Sequence, residues 1–137
     1  MRRTVLLFIA LAMISIMAIG VALAASPVRI IGLRCDALGD DTKNLNGEYV
    51  VLQNTSRKSV VLAGWRIHDR GRNHFYTFPA GFKLRPNAVV RVHTGEGRRR
   101  SGDLYWGQGS SVWNNPPEGD TATLRNRAGT IKDTRSC

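Results

Sequence analysis

From Val28 onward, apolar and polar residues alternate with a period of two in short runs closed by Gly, Pro, Asn or Asp. The runs are Val28–Cys35, Glu48–Asn54, Ser59–His68, His74–Phe78, Ala88–Thr94, Asp103–Trp106, Thr121–Asn126 and Thr130–Thr134. Val50, Leu52, Val60, Leu62, Trp65, Ile67, Val90, Val92, Ala122 and Leu124 take the inward phase. In Ser59–His68 that phase holds only if parity slips once, and Gly64 marks a bulge for it. Turns are expected at Arg70–Asn73, Leu84–Asn87 and Arg127–Gly129. Strands without crossover helices predict an all-β fold, an antiparallel β-sandwich of seven to eight strands. A closed barrel is the rival architecture.

The beginning of the chain follows another pattern. Arg2 and Arg3 precede a run from Val5 to Ala24 that is almost entirely apolar, and Ala22-Leu23-Ala24 has the small residues that a signal peptidase requires. Ser26-Pro27 breaks any continuing helix. Residues 1–24 therefore read as a signal peptide cleaved after Ala24, with an uncleaved membrane anchor as the alternative, since the run is long enough to span a bilayer. Residues 25–137 remain as one domain, which is expected to be secreted or held at the cell surface.

Charge and cysteines add to this picture. Without Arg2 and Arg3 the chain keeps 18 Lys and Arg against 10 Asp and Glu, a net charge of +8. Such a domain is attracted to polyanions, although a basic surface also serves solubility. Arginine outnumbers lysine, which favours planar contacts to phosphate or carboxylate. Cys35 and Cys137 are the only cysteines, and in an oxidising compartment they read as one disulfide.

Several short motifs then point to a family. They are Glu48-Tyr49-Val50 with Leu52 and Asn54, Leu62-Ala63-Gly64-Trp65, and Tyr76-Thr77-Phe78-Pro79. His93-Thr94-Gly95, Leu104-Tyr105-Trp106-Gly107, Val112-Trp113-Asn114-Asn115 and Gly119 to Leu124 follow. In this order and spacing the chain resembles the lamin tail domain, from about Val28 to Thr134. The resemblance implies an immunoglobulin-like sandwich and a binding module, of the kind that contacts DNA, chromatin and proteins in nuclear lamins and that is appended to bacterial exported proteins. Trp65, Trp106 and Trp113 read as structural, with Trp113 plugging one end of the sandwich and Asp120 capping a turn through nearby amides. The chain departs from the family in lacking a coiled-coil rod, in carrying Val51 where such domains are often acidic, and in adding Arg98-Arg99-Arg100 after Gly97.

Catalytic chemistry finds little support. His68-Asp69, His93 and Asp103 are the candidates for acid–base work, and His68 and His93, both on outward phases, are possible neighbours. A metal would need a third ligand, for which His74 alone is left among the histidines. Gly95-Glu96-Gly97 and Gly107-Gln108-Gly109 are not followed by Lys-Ser/Thr or a helix, so they are not phosphate-cradling loops. Asn54-Thr55-Ser56 matches a glycosylation sequon. The expectation is a non-enzymatic monomer with no cofactor, metal or small-molecule substrate. It attaches to nucleic acid or an anionic cell-envelope polymer through Arg66, Arg91, Arg98, Arg99, Arg100 and Arg125. The alternative is a protein partner docked by an exposed strand edge or through Val51 and Phe75.

Overall fold

The computed structural model describes residues 25–137. The expected leader, residues 1–24, lies outside the described residues. Among the described residues no helix is long and apolar enough to cross a membrane.

The described residues form ten strands: β1 Val28–Arg34, β2 Tyr49–Asn54, β3 Val60–Val61, β4 Arg66–His68, β5 Phe75–Thr77, β6 Lys83–Leu84, β7 Val89–His93, β8 Asp103–Tyr105, β9 Thr121–Arg125 and β10 Ile131–Ser136. Two four-stranded sheets, ordered β1-β2-β7-β8 and β10-β9-β4-β5, form an immunoglobulin-like sandwich, and β3-β6 makes a small ribbon beside them. Alternation fills the space between the sheets. Val28, Ile30, Val50, Leu52, Val90, Val92 and Leu104 come from the first sheet, Ile67, Ala122 and Leu124 from the second, and Leu62 and Leu84 from the ribbon. Burying side chains of this size contributes about 1.5–3 kcal/mol each, which fixes the register of every central strand.

Three local features depart from the alternation pattern. Ser59–His68 is not one strand with a bulge. β3 pairs with β6, the chain turns at Gly64 (φ 78°), and β4 joins the second sheet. The turn is fixed by Trp65 N–H donating to Leu62 O, which leaves Trp65 half-buried against the core rather than on the inner face of a strand. Register shifts lie instead in β10, between Ile131 and Asp133, and in β1, between Ile30 and Gly32, where Ile31 is left facing solvent. A Cβ on Gly32 would come 3.3 Å from Val51 Cγ2, so this crossing favours glycine. Finally, β8 runs parallel to β7, although every other pair is antiparallel. The loop Thr94–Gly102 carries the chain back along β7, and Gly102 O accepts from Arg91 N.

The sheets are tied along their open edge. Cys35, just after β1, is bridged to Cys137, just after β10. Asp133 accepts from Ile30 N at 2.8 Å and from Arg29 Nε at 2.9 Å, joining β10 to β1 a second time. Trp113, buried in the loop between β8 and β9, meets Trp106 edge-to-face at 5.8 Å and closes the core where the chain passes between sheets.

Candidate functional site

The surface chemistry of this domain depends on where its carboxylates go. Asp120 is buried. Its Oδ1 accepts from Arg70 N at 2.9 Å and Thr121 N at 2.6 Å, and its Oδ2 from Asn114 N at 3.2 Å. It therefore ties the β4–β5 turn to the loop between β8 and β9, beyond the single turn expected of it. Glu48 is also buried, with Oε2 accepting from Val112 N and Oε1 left without a partner; burial pushes its carboxyl above the ordinary range. Asp69 bonds His74 through its backbone N and Nδ1, Asp103 bonds His93 Nε2 at 2.8 Å, and Asp41 bonds Ala37 N and Asn115. Carboxylates thus mostly serve amides and histidines. Among the described residues only Arg29 and Lys43 form ion pairs, with Asp133 and Asp40.

The guanidiniums are left without a counter-ion in three places, although Arg125 Nη1 donates to Gly129 O at 2.8 Å. Arg66 and Arg125 project from adjacent strands of the second sheet, and their Cα atoms are directly opposite in the β4–β9 register. Arg91 projects from the outer face of the other sheet, 4.5 Å from the Tyr49 ring centroid, with Arg34 at 6.0 Å from the same ring. Arg98, Arg99 and Arg100 occupy the loop before β8. That loop is anchored by Gly97, which lies flat against the Tyr105 ring and leaves no room for a side chain. Arg99 turns back over Phe82 at 5.2 Å, bringing Arg99 and Arg100 beside Lys83 and Arg85 along one groove. The six arginines singled out in the sequence therefore form three basic patches rather than one face.

The second-sheet patch is the most concentrated. His68 follows Arg66 on β4, and Phe75 on β5 is its register partner. Phe75 is 51% exposed, with the Arg66 guanidinium 5.2 Å from its ring centre and the His68 ring at 5.8 Å. Arg72 and Arg127 approach from the two flanking turns. Burial first, and then Arg125, Arg72 and Arg66, push His68 below its ordinary value. The cationic form is therefore disfavoured, as expected where like charges crowd together.

The remaining expectations resolve separately. His68 and His93 lie on different sheets and are not neighbours. The His–Asp contacts are His74–Asp69 and His93–Asp103. His93 bridges Asn46 O at 2.9 Å and Asp103, a role between strand and loop rather than across its own turn. No group of three or more His, Cys, Asp or Glu among the described residues is placed to hold a metal. Asn54 of the sequon is buried, with Nδ2 facing the carbonyls of Lys58, Leu84 and Arg85, so it organises the β2–β3 turn and is closed to a glycan. Of the edge strands, β5 and β8 have three residues each, which gives an incoming strand little to pair with, while the longer β1 and β10 are held to each other along the tied edge.

This arrangement of sheets, tryptophans and loop-tying acids has a counterpart among known families. Residues 23–137 match the Lamin Tail Domain. The chain belongs to the lamin tail domain family. No curated protein matches it.

In this lamin tail domain the quoted family motifs fall on scaffold positions: Val50, Leu52, Asn54, Phe78, Trp113, Asp120, Ala122 and Leu124 are all buried. The free arginines lie outside those motifs. Arg127 and the Lys83–Arg85 pair were not read as surface chemistry, because turn and ribbon residues carry no phase to orient them. Arg127 follows Arg125 with a spacing of two, and that spacing alone was available as a signal.

Proposed function

We propose that this lamin tail domain is an exported, non-enzymatic binding module that attaches to a polyanion, DNA or an anionic cell-envelope polymer, through its surface arginines. One observation carries the reading: Glu48, Asp69 and Asp120 are buried on amides and a histidine, and among the described residues Arg29 is the one arginine with a carboxylate in ion-pair reach, so most of the arginines have no counter-ion of their own. Binding of this kind is sequence-independent and releases counterions, which suits patches spread over several faces better than one shaped groove. Export is supported by the apolar leader and by the Cys35–Cys137 bridge, which persists in an oxidising compartment.

The test is retention of residues 25–137 on duplex DNA and on heparin across a salt titration. Affinity is expected to fall steeply between roughly 50 and 200 mM salt. Replacing Arg98, Arg99 and Arg100 together by Ala should lower the slope of log K against log salt by up to about 3, near 0.9 for each lost phosphate contact. Absent retention, or retention indifferent to salt, overturns the reading. A protein partner captured in a salt-resistant way would replace it with docking through apolar surface such as Phe75.

A further inference from the structure

The second-sheet patch is more than a charged surface. Arg66, His68, Arg72, Arg125, Asn126 and Arg127 line a cleft of about 230 Å³ on the outer face of β4 and β9. That is below the roughly 300 Å³ at which sites for drug-sized ligands begin, so the cleft suits one compact group.

Three features of the cleft are unfavourable without a ligand. Arg66 and Arg125 are directly opposite across an antiparallel pair, where like charges are destabilising. His68 Nδ1 and Arg125 Nε are buried without hydrogen-bond partners, although both residues border an open polar space. Arg72 holds φ at 59°, a left-handed conformation that Gly or Asn adopts more readily. No carboxylate lines the cleft, and Asp69, next to His68, has its oxygens on His74. A tetrahedral oxyanion relieves the first, because guanidinium forks present paired donors to its oxygens, and an imidazole N–H donates one more.

We propose that this cleft is a binding site for a single phosphate group, held by Arg66, Arg72, Arg125 and Arg127 with His68 as a further donor. The assignment rests on the reading of this surface as anion-binding and narrows it to one group at one place. The phosphate arrives either free or as the terminal monoester of a longer molecule, and Phe75 at the rim offers a flat apolar surface to whatever carries it.

The experiment is a titration of residues 25–137 with inorganic phosphate, followed by amide and imidazole NMR shifts at constant ionic strength. Saturable shifts confined to residues 66–75 and 125–129 are expected, with the His68 ring signals moving with them. The double variant R66Q/R125Q should weaken binding by about tenfold or more, since it removes two charge-assisted forks. R72Q, on an exposed turn, is the second variant and should weaken binding even if the double variant unfolds. Replacing Arg98, Arg99 and Arg100 by Gln should leave phosphate binding unchanged. A 5′-phosphorylated oligonucleotide competing better than its unphosphorylated twin assigns the source to a terminal monoester; equal competition assigns it to free phosphate. Non-saturating shifts spread over all the arginines, or saturable shifts insensitive to R66Q/R125Q and R72Q, overturn the site. DNA retention surviving such a result would leave the polyanion reading standing without the cleft. Phosphate binding without DNA retention would do the reverse.

Discussion

Removing the Cys35–Cys137 bridge tests how the open edge of this sandwich is held. The two cysteines are 102 residues apart, so the bridge closes almost the whole folded domain into one loop. In the chain-entropy description a loop of that length restricts the unfolded ensemble by about 4.7 kcal/mol at 25 °C. Small domains have a total stability of about 5–15 kcal/mol, so the bridge is a third or more of what is available. Its loss leaves Asp133 holding Ile30 N and Arg29, and Cys137 N–H donating to Asp120 O, so the folded edge retains hydrogen bonds of its own. The effect should therefore appear mostly in the unfolded state. The comparison is urea unfolding of the oxidised protein and of C35A/C137A, followed by tryptophan fluorescence. Stability is expected to fall by about 3–5 kcal/mol, with a larger m-value because the unbridged chain exposes more surface. A loss under about 1 kcal/mol with an unchanged m-value would refute the reasoning, since it would mean that the bridge constrains neither state.

Three further perturbations address the interior. Burial raises the Glu48 carboxyl above its ordinary 4.5, so the stability tied to its protonated form is complete below that pH and is lost as pH rises through the folded value. E48Q keeps an acceptor for Val112 N without a charge, and should melt higher than the parent at pH 7 and level with it at pH 4; a lower melting point at pH 7 would contradict this. D120A strips the amides of Arg70, Asn114 and Thr121 of their acceptor and should cost about 3 kcal/mol or more by denaturant titration, against almost nothing if water replaces the carboxylate. W113A empties a site that is 2% exposed and should cost about 3–5 kcal/mol; a loss below about 1 kcal/mol would mean that the loop collapses to fill it.

The scaffold was legible in the sequence wherever a side chain had a phase. Val50 and Leu52, Val90 and Val92, and Ala122 and Leu124 alternate inward as the pattern predicts, because burial on one face leaves a strand one register. Reading failed where tertiary pairing overrides local pattern. Nothing within Ser59–His68 distinguishes a bulge from a change of sheet, since both shift parity at Gly64; Lys83–Leu84 decides it by pairing with Val60–Val61. The parallel β7–β8 pair was likewise hidden, because alternation along Asp103–Tyr105 is the same in either direction. Asp120 was recognised as a turn cap, but its bonds to Arg70 and Asn114 connect residues that only the fold brings together. The arginines were visible one by one, and their division among two sheet faces and a loop was not. That division depends on which strands share a sheet, which β4 and β7 do not.

The acids and the arginines are two sides of one arrangement. A sandwich of short strands has long loops, and loops that cross its ends leave amides that must find acceptors. Here carboxylates supply them: Asp120 for Arg70, Asn114 and Thr121, and Glu48 for Val112, with Asp133 doing the same for the strand amide of Ile30. Asp133 also pairs with Arg29, whereas Asp120 and Glu48, buried on amides, neutralise no guanidinium. The excess of 18 basic over 10 acidic side chains therefore understates the positive character of the surface, because part of the acidic complement faces inward. Solubility alone would be served by any scatter of exposed lysines. Arg66 opposite Arg125, with Arg72 and Arg127 lining the same cleft, is an unfavourable way to achieve it, and would become favourable with an anion in that cleft.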